Sequence, residues 1–312
     1  MNPPAKNWKL RSRRLSVGKI PLLMGIINVT PDSFSDGGRF LDASAAVAQG
    51  LRLAAEGADL LDVGGESTRP GSQGVDADEE LRRVMPVVVG LCEQTPVPVS
   101  VDTSKAVVAR EALAAGAEVI NDITALQGDA EMPALAAESG CGVCAMHMQG
   151  TPRTMQQAPA YEDVVEEVLA YLAERRDALV AAGVDRQCIA LDPGIGFGKT
   201  LKHNLALLGN AWRFHALGCP VLIGHSRKRF ISEFLEKRGH STFLAAGSSP
   251  PGKTDHEKVE CPLFFGQART AGTIGVALSL ARQGVQILRV HDVAPVRQAL
   301  LLYKAATGGR AP

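Results

Sequence analysis

Apolar residues in this chain come in short unbroken runs that stop abruptly on a polar residue. The first runs Leu22-Leu-Met-Gly-Ile-Ile-Asn28 and spills into Val29-Thr-Pro-Asp-Ser-Phe-Ser-Asp-Gly-Gly38, a stretch of small, polar, turn-forming residues. A run without polar alternation predicts a strand covered on both faces, as in a parallel sheet. The polar residue at its end is where such a strand can place chemistry.

The same pattern recurs with a helix before it. Ala54-Ala-Glu-Gly-Ala-Asp59 leads into Leu60-Leu-Asp-Val63, and Ala114-Ala-Gly-Ala-Glu118 into Val119-Ile-Asn-Asp122. Ala181-Ala-Gly-Val-Asp185 precedes Ile189-Ala-Leu-Asp-Pro193, and Ala281-Arg-Gln-Gly-Val-Gln286 precedes Ile287-Leu-Arg-Val-His-Asp292. Each is an Ala-rich helix end, a glycine suited to the left-handed residue after it, and a short buried strand. Eight strands follow from this grammar, near 22–29, 60–63, 99–101, 119–121, 142–147, 189–192, 221–224 and 287–290. Helical patterns lie between them, among them 43–56 behind Asp42 as a candidate cap, 105–115, 161–182 and 270–283. Eight βα units without a second compositional block predict a single α/β domain, a (β/α)8 TIM barrel over 21–312. A doubly wound sheet is the fold alternative.

One interruption stands out. Residues 238–266, with Gly247-Ser-Ser-Pro-Pro-Gly-Lys-Thr-Asp255, are rich in Gly, Ser and Pro and read as a long, mobile surface insertion between the helix after strand seven and strand eight. Residues 1–20 carry Lys6, Lys9, Arg11, Arg13, Arg14 and Lys19 without an apolar core, so they read as a flexible basic arm and not a secretory signal.

Composition narrows the function classes. With 33 basic against 33 acidic residues, no global field favours nucleic acid or an anionic membrane, and a polyanion site must be local. No apolar run reaches the roughly 18 residues of a membrane span. Hydrophobic content of 46% with 4% aromatic fits Ala-rich helices packed on a parallel sheet. Cys141 and Cys144 form a CxxC at the entrance to a strand, with no second pair to complete a zinc site, and read as buried structural thiols.

A TIM barrel gathers its active site at the C-terminal ends of its strands. Those ends are Asn28, Asp62 with Gly64, Asp102, Asn121 with Asp122, Met146 with His147, Asp192, Ser226 with Lys228, and Arg289 with His291. Acids and amides beside cations point to a ligand with a hydrogen-bonding heterocycle and an anionic tail. Asp192 lies beneath Pro193-Gly-Ile-Gly-Phe-Gly-Lys199, and a buried carboxylate there needs a partner such as two parallel N–H donors on a planar ring. Gly194 to Thr200 resembles a Walker A loop in composition, but its register fails because the first glycine would fall on Pro193. Ser226-Arg-Lys-Arg229 places cations at a helix start, where a bound anion would account for them. Arg289 and His291 alternate along strand eight and so share a side, as a diphosphate clamp requires. The glycine-flanked loops 30–38 and 64–71 read as lids that exclude water over a substrate.

Eight blocks together resemble dihydropteroate synthases: Gly25-Ile-Ile-Asn-Val-Thr-Pro-Asp-Ser-Phe-Ser-Asp-Gly37, Asp62-Val-Gly-Gly-Glu-Ser-Thr-Arg-Pro-Gly71, Ser100-Val-Asp-Thr103, Ile120-Asn-Asp122, Met146-His-Met-Gln-Gly-Thr-Pro152, Leu191-Asp-Pro-Gly-Ile-Gly-Phe-Gly-Lys199, Ser226-Arg-Lys228 and Arg289-Val-His-Asp-Val293. They stand in the family's order from residue 22 onward. The resemblance implies a transferase of folate biosynthesis and a sulfonamide target. It would condense 6-hydroxymethyl-7,8-dihydropterin diphosphate with 4-aminobenzoate to 7,8-dihydropteroate and diphosphate.

Carried over residue by residue, the resemblance implies that Asp192 pairs with the 2-amino and N3 edge of the pterin, Asp102 and Asn121 with its opposite edge, and Lys228 with its carbonyl side, Met146 also belonging to the substrate site. Asn28 would help hold Mg²⁺ on the diphosphate, and Thr68, Arg69, Arg289 and His291 would bind the anion. Phe197, Pro70 and Ser226 would line the aminobenzoate pocket, with Asp32 on the first loop closing over the site. Catalysis would then rest on Asp32, Arg69, Lys228, Arg289 and His291. Departure of diphosphate, with the cation delocalised over the pterin, needs no enzyme nucleophile.

The family also implies a homodimer formed near the C-terminal units, a cytoplasmic location, and no nucleic-acid or membrane partner. His225 and the insertion at 238–266 depart from the family's usual pattern. Two alternatives share the pterin-reading groups. A methyltransferase domain acting on methyltetrahydrofolate has no need of Thr68-Arg69, Ser226-Arg-Lys228 and Arg289-Val-His291 together, and a non-catalytic paralogue should show damage in the first two loops, which are whole here.

Overall fold

In the computed structural model, residues 3–30, 39–237 and 262–308 are described. A two-stranded hairpin, β1 (Asn7–Lys9) and β2 (Arg14–Ser16), opens the chain. Eight parallel strands follow: β3 (Leu22–Asn28), β4 (Leu60–Gly64), β5 (Val99–Asp102), β6 (Val119–Asp122), β7 (Gly142–Met146), β8 (Ile189–Asp192), β9 (Leu222–Gly224) and β10 (Ile287–Val290). Each pairs with its neighbour from β8 back to β3, β3 pairs with β10 and β10 with β9. A bridge from Leu191 to Val221 joins β8 to β9 and closes the barrel.

Helices α1 (Arg39–Ala55), α2 (Ala77–Gln94), α3 (Ala106–Ala114), α4 (Met132–Ser139), α5 (Val164–Ala181), α6 (Leu201–Gly209), α7 (Arg229–Lys237), α8 (Pro262–Arg282) and α9 (Val293–Ala306) follow the strands in turn, with α7 and α8 both between β9 and β10. Local sequence sets several of their starts. Asp76 and Asp163 cap α2 and α5 by accepting from backbone N–H groups of the first turn, and Thr200 with His203 makes a reciprocal capping pair on α6.

Three expectations are corrected. Helix α1 begins at Arg39, so Asp42 lies inside it and is not its cap. Helix α8 begins at Pro262, so 262–266 are helical and not part of an irregular insertion, while 238–261 lie outside the described residues. The basic arm folds into the β1–β2 hairpin and is anchored to the barrel. Trp8 and Leu10 are fully buried, and Trp8 Nε1 donates to the Cys188 carbonyl at 2.7 Å. The arm folds because these two side chains enter the open lower end of the barrel, where they join Met24, Leu60, Val119, Cys144, Ala190, Leu222 and Ile287 in one cluster. Gly142 makes room, since a Cβ there would lie 2.8 Å from Leu10 Cδ2.

That cluster fixes what stands above it. Side chains two positions further along a strand point to the same side. Above the apolar layer the barrel interior therefore receives Asp62, Asp102, Asn121, Met146, Asp192, Gly224 and Arg289, one from each of seven strands. A second, larger cluster packs the outer faces of the strands, including Leu23, Ile27, Leu61, Val63, Ile120 and Leu288, against the helices.

Candidate active site

The polar layer is a connected ion network. Arg289 donates through Nε to Asp62 Oδ2 and through Nη2 to Asp102 Oδ2, both at 2.6 Å. Asn121 Nδ2 donates to the same Asp62 oxygen at 3.0 Å. Asp62 is fully buried, and a buried charge of this kind is tolerated only when paired. Burial pushes the Asp102 carboxyl up to about 7 against the pull of Arg289, while Asp62 and Asp102 together hold the Arg289 guanidinium charged despite its burial. The third nitrogen of Arg289, Nη1, takes part in neither bond.

Across the barrel, Asp192 Oδ1 accepts the Gly194 N–H at 2.7 Å. Its Oδ2 faces Gly224, where a Cβ would lie 4.0 Å away. Burial raises the Asp192 carboxyl above the usual range, opposed by Lys228 and the Gly194 bond. The turn above it winds through left-handed glycines, with φ of 68° at Gly194, 85° at Gly196 and 63° at Gly198. Gly194 is required by space as well, since a Cβ would fall 1.9 Å from the His147 carbonyl oxygen.

Two lysines pin this turn. Lys228 Nζ donates to the Ile195 carbonyl and lies 4.4 Å from the centre of the Phe197 ring. Lys199, buried to 3% exposure, donates to the Phe197 carbonyl at 2.9 Å and meets His147 Nδ1 at 2.9 Å. Burial lowers Lys228 to about 8 and Lys199 to about 7, with Asp192 working the other way in both. His147 falls to about 3 through burial and the Lys199 charge, so it is neutral at pH 7 and its Nδ1 accepts from the lysine.

Of the three cations after Ser226, one enters the site. Arg227 adopts φ of 56°, turns outward and pairs with Asp292, Arg229 is exposed at the start of α7, and Lys228 points in. Ser226 is buried, and its Oγ lies 3.2 Å from both the backbone N and Nδ1 of His291. His291 is lowered to about 3 by burial and the nearby Arg289 and Arg227 charges.

The structure thus unites Asp102, Asn121, Met146, Asp192, Lys228 and Arg289 in the barrel mouth, with Phe197, Ser226 and His291 beside them. Asn28 ends β3, half-buried. Thr68, Arg69 and Pro70 stand apart on the loop after β4, with Arg69 and Pro70 exposed. Asp32 lies outside the described residues. Arg289, expected to clamp an anion with His291, commits Nε and Nη2 to carboxylates.

The sequence places Asp62 and His147 among the strand-end residues without a specific role, and Lys199 only within the glycine-rich block. Asp62 was signalled by its place two residues beyond Leu60 on an inward-facing strand position. His147, expected at the end of the strand over 142–147, stands one residue past the observed strand end at Met146, and Lys199 in its loop carries no periodic signal. Cys144 lies beneath the site, and burial raises its thiol well above the ordinary value, so it offers no thiolate. The other cysteines described are also free thiols, Cys141 buried with it. Among the described residues, no three His, Cys, Asp or Glu side chains gather as a metal site, and no helix is long and apolar enough to cross a membrane.

Comparison with known proteins extends this picture. The family model described as pterin binding enzyme matches residues 24–291. The dihydropteroate synthase of Escherichia coli K12 is 42% identical over 290 residues, covering 93% of either chain. The structure of Xanthomonas albilineans dihydropteroate synthase with 4-aminobenzoic acid superposes with a TM-score of 0.81 at 43% identity, covering 97% of this chain and 98% of that one. The same enzyme in complex with 7,8-dihydropteroate gives 0.79 at 42% identity, covering 96% and 98%.

Proposed function

The chain belongs to the dihydropteroate synthase family of pterin-binding transferases, and from that premise we propose that its barrel mouth joins 6-hydroxymethyl-7,8-dihydropterin diphosphate to 4-aminobenzoate, forming 7,8-dihydropteroate and diphosphate. The observation that carries this reading is Asp192, a buried carboxylate with Oδ1 committed to Gly194 and Oδ2 turned to the barrel space. A pterin presents two adjacent N–H groups, on N3 and the 2-amino nitrogen, that suit a carboxylate edge. The relatives solved with 4-aminobenzoic acid and with 7,8-dihydropteroate support the choice of substrates.

In this reading Asp102 and Asn121 take the opposite pterin edge, and Lys228 its carbonyl side. The Asp62 and Asp102 carboxylates hold Arg289 in one rotamer, so that its remaining nitrogen, with His291, Thr68 and Arg69, meets the diphosphate. Phe197, stacked under Lys228, and Ser226 and Pro70 border the aminobenzoate. Asp32 keeps its expected role on the first loop. The arylamine is neutral at pH 7, so no base acts before it attacks the exocyclic carbon. The residues present orient the two substrates and stabilise departing negative charge.

Mg²⁺ fits this chain as an ion shared with the substrate. Without a three-ligand cluster among the described residues, the donor set is the Asn28 amide oxygen, and Mg²⁺ commonly takes one or two protein oxygens alongside phosphates and water. Bound there, the ion would offset charge on the diphosphate. We further propose a cytoplasmic homodimer. Leu301 and Leu302 on α9 leave apolar surface exposed for such a contact.

The test is diphosphate release by purified protein with Mg²⁺ and the pterin diphosphate. Release that depends on added 4-aminobenzoate, with dihydropteroate formed in equal amount, is expected. Tight pterin binding without product under any condition would overturn the reading.

A further inference from the structure

Glu80 on α2 is fully buried, and its Oε1 has no hydrogen-bond partner. Its other oxygen meets Lys105 Nζ at 2.5 Å, and the same ammonium reaches Glu66 Oε2 at 2.5 Å. Burial works to lower Lys105, but bonds to the two carboxylates outweigh it and leave its pKa above the ordinary value. Lys105 is thus the cation paired with the buried Glu80, and a second N–H of the same ammonium holds Glu66.

Glu66 stands two residues before Thr68, and the loop is seated tightly up to that point. Arg83 Nη1 donates to the Gly65 carbonyl at 2.8 Å. A Cβ on Gly65 would fall 2.7 Å from Val84, and one on Gly74, where the loop returns, would lie 3.3 Å from Glu66 Oε1. The tip beyond Glu66 is held differently. Ser72 closes a turn on the carbonyls of Arg69 and Ser67, and Gly71 N–H donates to the Pro152 carbonyl at 3.1 Å. The exposed turn carrying Thr68, Arg69 and Pro70 is thus mounted at two ends, on the Glu80–Lys105–Glu66 bridge and on the loop after β7. Lys105 itself follows closely on Asp102 at the end of β5.

We propose that Lys105 is a positioning residue, which fixes the turn bearing Thr68 and Arg69 over the barrel mouth by tying Glu66 to the buried Glu80. It rests on the reading above that this turn receives the diphosphate. A role confined to neutralising Glu80 would affect stability and both substrates alike. A positioning role acts on the diphosphate end of one substrate.

Glu66→Gln separates the two, because it replaces the charge-assisted bond from Lys105 with a weaker neutral one and leaves the Lys105–Glu80 pair in place; Lys105→Met removes both links. For each variant the measurements are KM and kcat for both substrates, calorimetric affinity for 6-hydroxymethylpterin lacking the diphosphate, and Tm. For Glu66→Gln the expected result is a KM for the pterin diphosphate raised about fivefold or more, with KM for 4-aminobenzoate and affinity for the diphosphate-free pterin within about twofold of wild type. Lys105→Met is expected to move the same parameter further, with a lower Tm. An unchanged KM for the pterin diphosphate in Glu66→Gln, or an equal loss for both pterins, overturns the proposal. Wild-type protein that does not distinguish the two pterins would overturn the functional reading beneath it, before any variant is compared.

Discussion

Arg289 and Asp62, 227 residues apart in the chain, share a 2.6 Å hydrogen bond at the centre of the barrel, and Asp62 has no exposure to solvent. Removing one partner leaves a buried charge uncompensated. Arg289→Met is expected to destabilise the protein by about 3–5 kcal/mol in denaturant unfolding. Adding Asp62→Asn to that variant should recover part of the stability and none of the activity. Equal stability of the single and double variants would show that the two side chains are not coupled.

His225 gives a pH prediction. It is fully buried, its Nε2 lies 3.0 Å from the Thr273 carbonyl, and burial lowers it from 6.5 to about 4. Between those values the unfolded chain binds a proton that the folded protein does not. The contribution of neutral His225 is complete above pH 6.5 and is lost as pH falls through about 4. Asp102, raised to about 7, works in the opposite sense, gaining stability as pH falls. His225→Gln retains a donor for the Thr273 carbonyl and does not titrate. The stability of wild type relative to this variant should therefore drop by on the order of 3 kcal/mol between pH 7 and pH 4. A pH-independent difference would place the proton elsewhere.

Trp8→Ala opens a cavity in the plug beneath the barrel and should cost about 3–5 kcal/mol in equilibrium unfolding. Because the apolar layer separates Trp8 from the polar layer, kcat of the folded variant should stay within about twofold of wild type. A large fall in kcat with little loss of stability would mean that the hairpin communicates with the site.

Gly194→Ala has no room for its methyl group beside the His147 carbonyl and requires a left-handed backbone. The turn that carries Phe197 must move, and kcat/KM should fall by about 100-fold or more. Gly209→Ala, at the end of α6 with nothing within 4 Å, is the control and should stay within about 0.5 kcal/mol of wild type. Similar behaviour of the two variants would remove the role assigned to the glycine turn.

The barrel strands are legible in the sequence because each is an apolar run with a polar stop, and β8 and β10 coincide with their expected spans. The inward layer is legible too, since Leu60 and Asp62, or Ile287 and Arg289, differ by the strand's own period. What the sequence does not show depends on contacts between distant segments. The hairpin has few apolar residues, and Trp8 and Leu10 become informative only once a closed barrel offers a hole to fill. Lys228 and Arg227 look equivalent as cations, and the left-handed backbone at Arg227 decides which faces the site. The Lys199–His147 contact joins two loops that share no pattern.

The most direct test of the proposed pterin site is Asp192→Asn. The substituted amide keeps an oxygen to accept the Gly194 N–H and replaces Oδ2 with a donor, so the turn stays in place while its complement to two ligand N–H groups is destroyed. The account predicts a Tm close to wild type and a fall in kcat/KM for the pterin diphosphate of about 100-fold or more in aminobenzoate-dependent diphosphate release. A folded Asp192→Asn protein with wild-type kcat/KM would contradict it.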